Sequence, residues 1–168
     1  LSIGITIDGT EMKHDLNRVY KTSGRGSYKD VVRNIPLWLS QFPDASTKVT
    51  ISSADIPYIK ESVLHLYALG IHEVNINCVF EDVWKAGDDR LFEEQLLMLA
   101  DAIIDNGYYR DYSCSFFGEH LGKPLDCKLQ NQNWCGAGMM LAVDAMGNFY
   151  PCTRFAQYSL RNKKAWII

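Results

Sequence analysis

The alternation of strand-like and helix-like segments is the sequence feature that most limits the fold of this chain. Residues 2–7, 48–53 and 73–78 are short apolar runs of β-type residues, and the segments that follow them carry apolar residues at helical spacing. Parallel strands need long crossover connections, usually helices, because successive strands run in the same direction. The chain is therefore predicted to form an α/β fold with a parallel sheet. We count three strands, which are too few to close an eight-stranded barrel.

Three helices are expected to accompany these strands. The first begins at Ser27 and is kinked at Pro36, which lacks a backbone N–H. The second opens near Pro57, and the third covers residues 88–107. Residues 8–27 are rich in Gly, Asp, Asn and Ser, and they are predicted to form a long loop with a turn of helix.

A loop-rich second unit is predicted from about residue 108, where the composition shifts to Tyr, Cys, Gly, Asn and Gln. The chain is thus divided into residues 1–107 and residues 108–168. A short β-hairpin is predicted between Cys135 and Cys152, with its turn at residues 146–148 and a positive φ at Gly147. A hairpin brings its ends together, so the two sulfurs would suit a disulfide, a zinc ion or an iron–sulfur cluster. On spacing alone, metal ligands and a disulfide or buried free thiols are equally supported.

Two motifs resemble those of radical S-adenosylmethionine (SAM) enzymes that carry an auxiliary SPASM domain. The spacing Cys135-x11-Gly147-x4-Cys152 resembles the opening half of the SPASM pattern. The strand that leads to Asp8-Gly9-Thr10, followed by His14-Asp15-x-x-Arg18, is similar to a family segment that reads Ser-hydrophobic-Asp-Gly-Pro and then His-Asp-x-x-Arg. Over essentially its whole length the chain resembles radical SAM peptide maturases, including those whose substrates carry CXXX repeats.

The resemblance implies a fold, a chemistry and a set of site residues. The fold is the C-terminal part of a partial (β/α)6 barrel followed by a truncated SPASM unit. The activity is modification of a ribosomally synthesised precursor peptide through a 5′-deoxyadenosyl radical, with SAM and [4Fe–4S] clusters as cofactors. Thr6, Asp8 and Arg18 would bind the cofactor, and Cys135 and Cys152 would be ligands of an auxiliary cluster. Thr6 replaces the usual Ser and Thr10 the usual Pro. No catalytic residue is assigned.

The same resemblance leads us to expect a fragment. No Cys-x3-Cys-x2-Cys motif occurs in the 168 residues, and this motif, which holds the catalytic cluster in the family, is expected before residue 1. The later SPASM cysteines are expected beyond Ile168. We therefore expect the 168-residue chain to be inactive on its own.

Composition restricts the partners and the compartment. A net charge of −3 gives no indication of nucleic-acid binding. No apolar run reaches the roughly 20 residues that cross a bilayer, so no membrane partner is expected. Five cysteines, an odd number without a dense disulfide pattern, favour a reducing cytoplasm.

Two other functions remain open on the sequence. One is a small α/β binding module with a structural zinc site. Its ligands would be Cys135, Cys152 and two of Cys114, Cys127 and His120. The other is a different barrel enzyme, such as a hydrolase or an aldolase, for which the sequence offers only Asp8 and neutral residues at the strand ends.

The remaining candidate residues each have a structural interpretation. His14 beside Asp15 could shuttle protons, but a loop stabilised by local charges and hydrogen bonds is the favoured interpretation. Cys114 and Cys127 do not match the SPASM spacing and are interpreted as incidental, and Cys78 as a small core residue.

Overall fold

The computed structural model describes residues 3–79, 81–118, 141–144 and 146–155 of the chain. The chain forms two compact units, residues 1–121 and residues 122–168. The first unit contains the sheet and its helices, and the described part of the second unit is a hairpin with a short turn of helix after it.

A four-stranded parallel sheet forms the centre of the first unit. Its strands are β1 (Ile5–Thr6), β2 (Thr47–Ile51), β3 (Glu73–Cys78) and β4 (Ser113–Cys114), adjacent in that order. The α/β prediction and the parallel sheet are therefore confirmed. The count of three strands was wrong, because β4 has only two residues, and it becomes a strand by pairing with the start of β3. The sheet thus extends past residue 107.

The described helices cross between the strands or flank them. They are α1 (Glu11–Asn17), α2 (Tyr28–Val32), α3 (Ile35–Gln41), α4 (Ile59–Ala68) and α5 (Asp88–Asp105). Two helices replace the single kinked one that was expected, because α2 ends before Asn34 and Pro36 stands in the first turn of α3, where its missing N–H is tolerated. A 3-10 helix (Ser53–Tyr58) contains Pro57 and leads into α4. Helix α1 lies in the segment that was predicted as a long loop with a turn of helix, and with seven residues it is longer than one turn.

The two faces of the sheet differ in character. Residues on one face of β2 and β3 are buried and pack in one apolar core with residues of α4 and α5; they include Val49, Ile51, Val74, Ile76, Val63, Leu66 and Leu99. Side chains alternate along a strand, so the residues between them belong to the opposite face. That face carries Thr6, Lys48, Thr50, Asn75 and Asn77 and is called the polar face below.

Strand register aligns the polar face in rows. Thr6 is paired with Lys48 and Lys48 with Asn75, and the next row pairs Thr50 with Asn77. Thr6, Lys48 and Asn77 are exposed, and the other two residues are half-buried. Parallel sheets are usually covered on both faces by apolar layers. Among the described strand residues, the buried apolar side chains of β2 and β3 lie on one face of this sheet.

The described part of the second unit contains the predicted hairpin. Strands β5 (Ala142–Val143) and β6 (Phe149–Tyr150) pair antiparallel, and Gly147 has a φ of +84°. The Asp144 carboxylate organises the turn: Oδ1 accepts from the N–H groups of Met146 and Asn148, and Oδ2 accepts from the Tyr150 hydroxyl at 2.7 Å. These hydrogen bonds, that of Tyr150 first, lower the pKa of Asp144 to about 2.

Candidate functional site

The carboxyl ends of β1 and β2 lie side by side and bring together residues that the sequence separates. Asp8 is the second residue after β1, and Ser52 is the first residue after β2. Ligands of open α/β sheets bind beyond the carboxyl ends of the strands. The site at this edge is built around four charged side chains, Asp8, Lys13, Arg18 and Asp55, which are called the charge cluster below.

Asp8 is the centre of the charge cluster and is 2% exposed. Its Oδ1 accepts from the Thr50 backbone N–H at 2.9 Å, which ties the end of β1 to β2. Arg18 donates to both carboxylate oxygens, from Nε to Oδ2 and from Nη2 to Oδ1. Lys13 Nζ lies 3.9 Å from Oδ1. The structure therefore brings together two of the predicted cofactor-binding residues, Asp8 and Arg18, and Asp8 is engaged entirely with protein groups.

Lys13 joins Asp8 to Asp55 beneath the sheet edge. The lysine side chain is 1% exposed; its Nζ lies 3.5 Å from Asp55 Oδ1 and donates to the Thr50 carbonyl. Burial lowers the pKa of Lys13, and the Asp8 and Asp55 carboxylates oppose that shift. Lys13 was not predicted as a site residue, because lysines are rarely buried unless they are paired. Its pairing depends on Asp55, which is remote in sequence.

Asp55 also caps the start of the 3-10 helix. Its Oδ2 accepts from the Ser52 backbone N–H at 2.8 Å and from the Ser52 hydroxyl at 2.6 Å, as in a capping box. Its Oδ1 accepts from the Asn17 amide at 3.3 Å. The carboxylate thus anchors the loop after β2 both to α1 and to Lys13.

His14 is fully buried and belongs to a hydrogen-bonded chain. Its Nδ1 lies 3.1 Å from the Asp8 backbone nitrogen, which can only donate, so Nδ1 carries no proton. The proton is therefore on Nε2, which lies 3.1 Å from the Ser27 hydroxyl, and that hydroxyl donates to the Arg18 carbonyl at 2.8 Å. Burial lowers the pKa of His14, which keeps the ring neutral. This arrangement agrees with the structural interpretation of the loop.

Thr6, the third predicted cofactor-binding residue, lies on the exposed part of the polar face. It borders a cavity of about 560 Å³ at the edge of β1, whose lining also includes Tyr20, Asp30, Arg33 and Trp38. Neither Asp8 nor Arg18 lines that cavity. Thr6 and the charge cluster therefore stand next to each other along β1 but not in a common cavity.

The described residues contain part of the predicted metal site. Cys152 is half-buried, and Cys135 lies outside the described residues, as do Cys127 and His120. No group of three or more potential His, Cys, Asp or Glu ligands occurs among the described residues. Cys114 is 6% exposed in the core, and burial raises the pKa of its thiol to about 11, which disfavours the thiolate that a metal needs.

Comparison with known proteins gives no assignment: no family model and no curated protein matches this sequence. Within the described ranges, no helix has both the length and the apolar character needed to span a membrane.

Proposed function

We propose that this chain is part of a radical SAM enzyme that modifies a ribosomally synthesised precursor peptide and carries an auxiliary iron–sulfur cluster. The observation that carries the proposal is the one-sided parallel sheet: helices cover its apolar face, and its polar face holds Thr6, Lys48 and Asn75 in one row. A wall of a partial barrel has this pattern, with helices outside and a ligand-binding lumen inside. The motif residues Asp8 and Arg18 stand at the carboxyl end of the same wall.

Arg18 is the residue best suited to hold the SAM carboxylate. Its side chain is 38% exposed, and within the described part of the chain its Nη1 has no hydrogen-bond partner. Asp8 accepts hydrogen bonds from Nε and Nη2 of the guanidinium, and this pairing fixes the direction in which Nη1 can donate. We assign Asp8 the role of orienting Arg18. The hydroxyl of Thr6 and the amides of the polar face would contact the rest of the ligand.

Cys152 and Cys135 would hold the auxiliary cluster together with cysteines from a longer protein. The thiol of Cys152 is accessible enough to bind a metal, since the residue is half-buried. When bound, SAM and the iron–sulfur clusters would supply the radical chemistry, while this chain would bind and orient the ligands. The proposal requires a Cys-x3-Cys-x2-Cys motif in the complete protein, because none occurs in these 168 residues.

The test uses the complete protein, purified without oxygen and assayed for iron, sulfide and SAM binding. The expected result is a brown protein that forms 5′-deoxyadenosine from SAM when a reductant is added. Arg18→Gln should weaken SAM binding by about tenfold or more, because a paired ionic hydrogen bond is lost. The matched control is Arg110→Gln, which removes an exposed arginine that lies over the Tyr109 ring in the same unit and should leave binding unchanged.

One result would overturn the proposed function, and another would overturn the role assigned to Arg18. A colourless protein that contains one zinc ion and does not bind SAM would establish the binding-module alternative. Equal SAM affinity in the Arg18→Gln variant and the wild type would remove Arg18 from the site. Cys152→Ala adds a separate check on the second unit, since it should lower the iron content without abolishing SAM cleavage.

A further inference from the structure

We propose that a cavity at the carboxyl end of β3 binds a flat, uncharged aromatic ring of about the size of indole. The cavity has a volume of about 600 Å³, which lies within the range of about 300–1,000 Å³ typical of small-molecule sites. Its lining comes from the end of β3, the following loop and the start of α5: Cys78, Trp84, Lys85, Ala86, Gly87, Asp88, Asp89 and Phe92. It is called the ring pocket below.

The ring pocket is distinct from the polar face. Along β3, Val74 and Ile76 are buried toward the helices, and Cys78 continues that alternation, whereas Asn77 belongs to the polar face. The pocket therefore opens on the helix side of the sheet. Its function does not depend on the proposed SAM site.

Two aromatic side chains give the pocket walls that are fixed before a ligand arrives. The Trp84 indole N–H donates to the Val79 carbonyl at 3.0 Å, which sets the direction of the ring. Phe92 packs edge-to-face on Phe116, with ring centroids 5.2 Å apart. Preformed aromatic walls favour a flat ring, because it can stack or pack edge-on without ordering a flexible side chain.

Sulfur and charge at the pocket favour an uncharged ligand. Burial raises the pKa of the Cys78 thiol, so the sulfur is neutral and polarisable, which suits contact with a ring. The Asp88 carboxylate accepts from the Lys85 backbone N–H at 2.7 Å, and Asp88 and Asp89 offset the positive end of the α5 dipole. Lys85 at the rim opposes the remaining negative charge. A charged ligand would lose hydration here without gaining a dedicated partner.

The test is a titration of the complete protein, labelled with 15N on its tryptophan indoles, with indole as the probe. The expected result is a saturable shift of the Trp84 N–H signal. Trp38 serves as an internal reference, because its N–H donates to the Ile3 carbonyl outside the ring pocket. Ala86→Phe should weaken indole binding by about tenfold or more, because it adds a competing ring to the lining of the pocket. Ala68→Phe places the same side chain at an exposed helix position and should not change binding.

Further probes test the ligand class. If N-acetyltryptophanamide binds with the same affinity as indole, the source of the ring is a polypeptide side chain. If indole binds and N-acetyltryptophanamide does not, the ligand is a free small molecule. The proposal is overturned if the Trp84 signal does not shift, or if cyclohexanol or indole-3-acetate binds as tightly as indole.

Discussion

Replacing Gly9 by alanine tests how closely α4 packs against the loop that follows β1. Gly9 has a φ of +123°, and a Cβ on this residue would lie 2.2 Å from both Cβ and Oγ of Ser62 and 2.9 Å from its Cα. A side chain at such a φ costs about 1–3 kcal/mol, and overpacking a buried contact costs a further ~1–3 kcal/mol. We therefore expect Gly9→Ala to lower the free energy of unfolding by about 2–6 kcal/mol.

Two reference variants separate these contributions in denaturant unfolding experiments. Gly24 also has a positive φ, +67°, but a Cβ there meets nothing within 4 Å. Gly24→Ala should therefore cost only about 1–2 kcal/mol. In a Ser62→Gly background the two 2.2 Å contacts of the new methyl group are gone, while the 2.9 Å contact with the Cα of residue 62 remains, so Gly9→Ala should cost less than in the wild type. The reasoning fails if Gly9→Ala costs no more than Gly24→Ala, or if Ser62→Gly leaves its cost unchanged.

Three further variants probe buried or hydrogen-bonded polar groups. Ser62→Ala should raise the free energy of unfolding by about 1 kcal/mol, because it removes a buried hydroxyl without a hydrogen-bond partner among the described residues; a loss of stability would contradict this. The pKa of His14 in the folded chain is lowered from its ordinary value of 6.5. As the pH falls below 6.5, His14 therefore takes up a proton in the unfolded state before it does in the folded state, and the free energy of unfolding decreases. His14→Asn should reduce the dependence of the free energy of unfolding on pH by up to about 1.4 kcal/mol per pH unit, measured by urea unfolding from pH 7.5 to 5. The Asp144 carboxylate stabilises the hairpin above pH 3.8 and loses this effect as the pH falls through about 2, so the backbone NMR shifts of Phe149 should move toward random-coil values in that window. Asp144→Ala should show those shifts already at pH 7.

Local patterns were sufficient to predict the longer elements. The run at residues 73–78 alternates apolar and polar side chains, and β3 spans Glu73–Cys78 as expected. The hairpin turn was likewise predicted by the need for a positive φ at Gly147, which the structure has. Helix α5 begins at Asp88 as expected and ends at Asp105, close to the predicted end. In each case the determining residues lie within the element itself.

Elements that depend on remote partners were missed, as β4 was, or predicted only as a turn of helix, as α1 was. Strand β4 has two residues and exists through its pairing with Glu73 and Val74. Helix α1 has seven residues, too short to be stable alone, and is held by the Thr10 cap and by Lys13, which reaches across to Asp55. The same holds for the site. Asp8 and Arg18 are close in sequence and were predicted together, whereas Lys13 and Asp55 are brought to the site by the fold and were not predicted.

In the one-sided sheet, the residues that stabilise the fold differ from the polar residues that face outward. The apolar face and the charge cluster hold the fold together, while Thr6, Lys48 and Asn77 on the polar face are exposed and contribute little to the core. Substitutions among these outward residues should therefore leave the free energy of unfolding nearly unchanged. Under the proposed function, mutation could change the ligand contacts of these three residues at little cost in stability, whereas Arg18 belongs to both the charge cluster and the proposed ligand site.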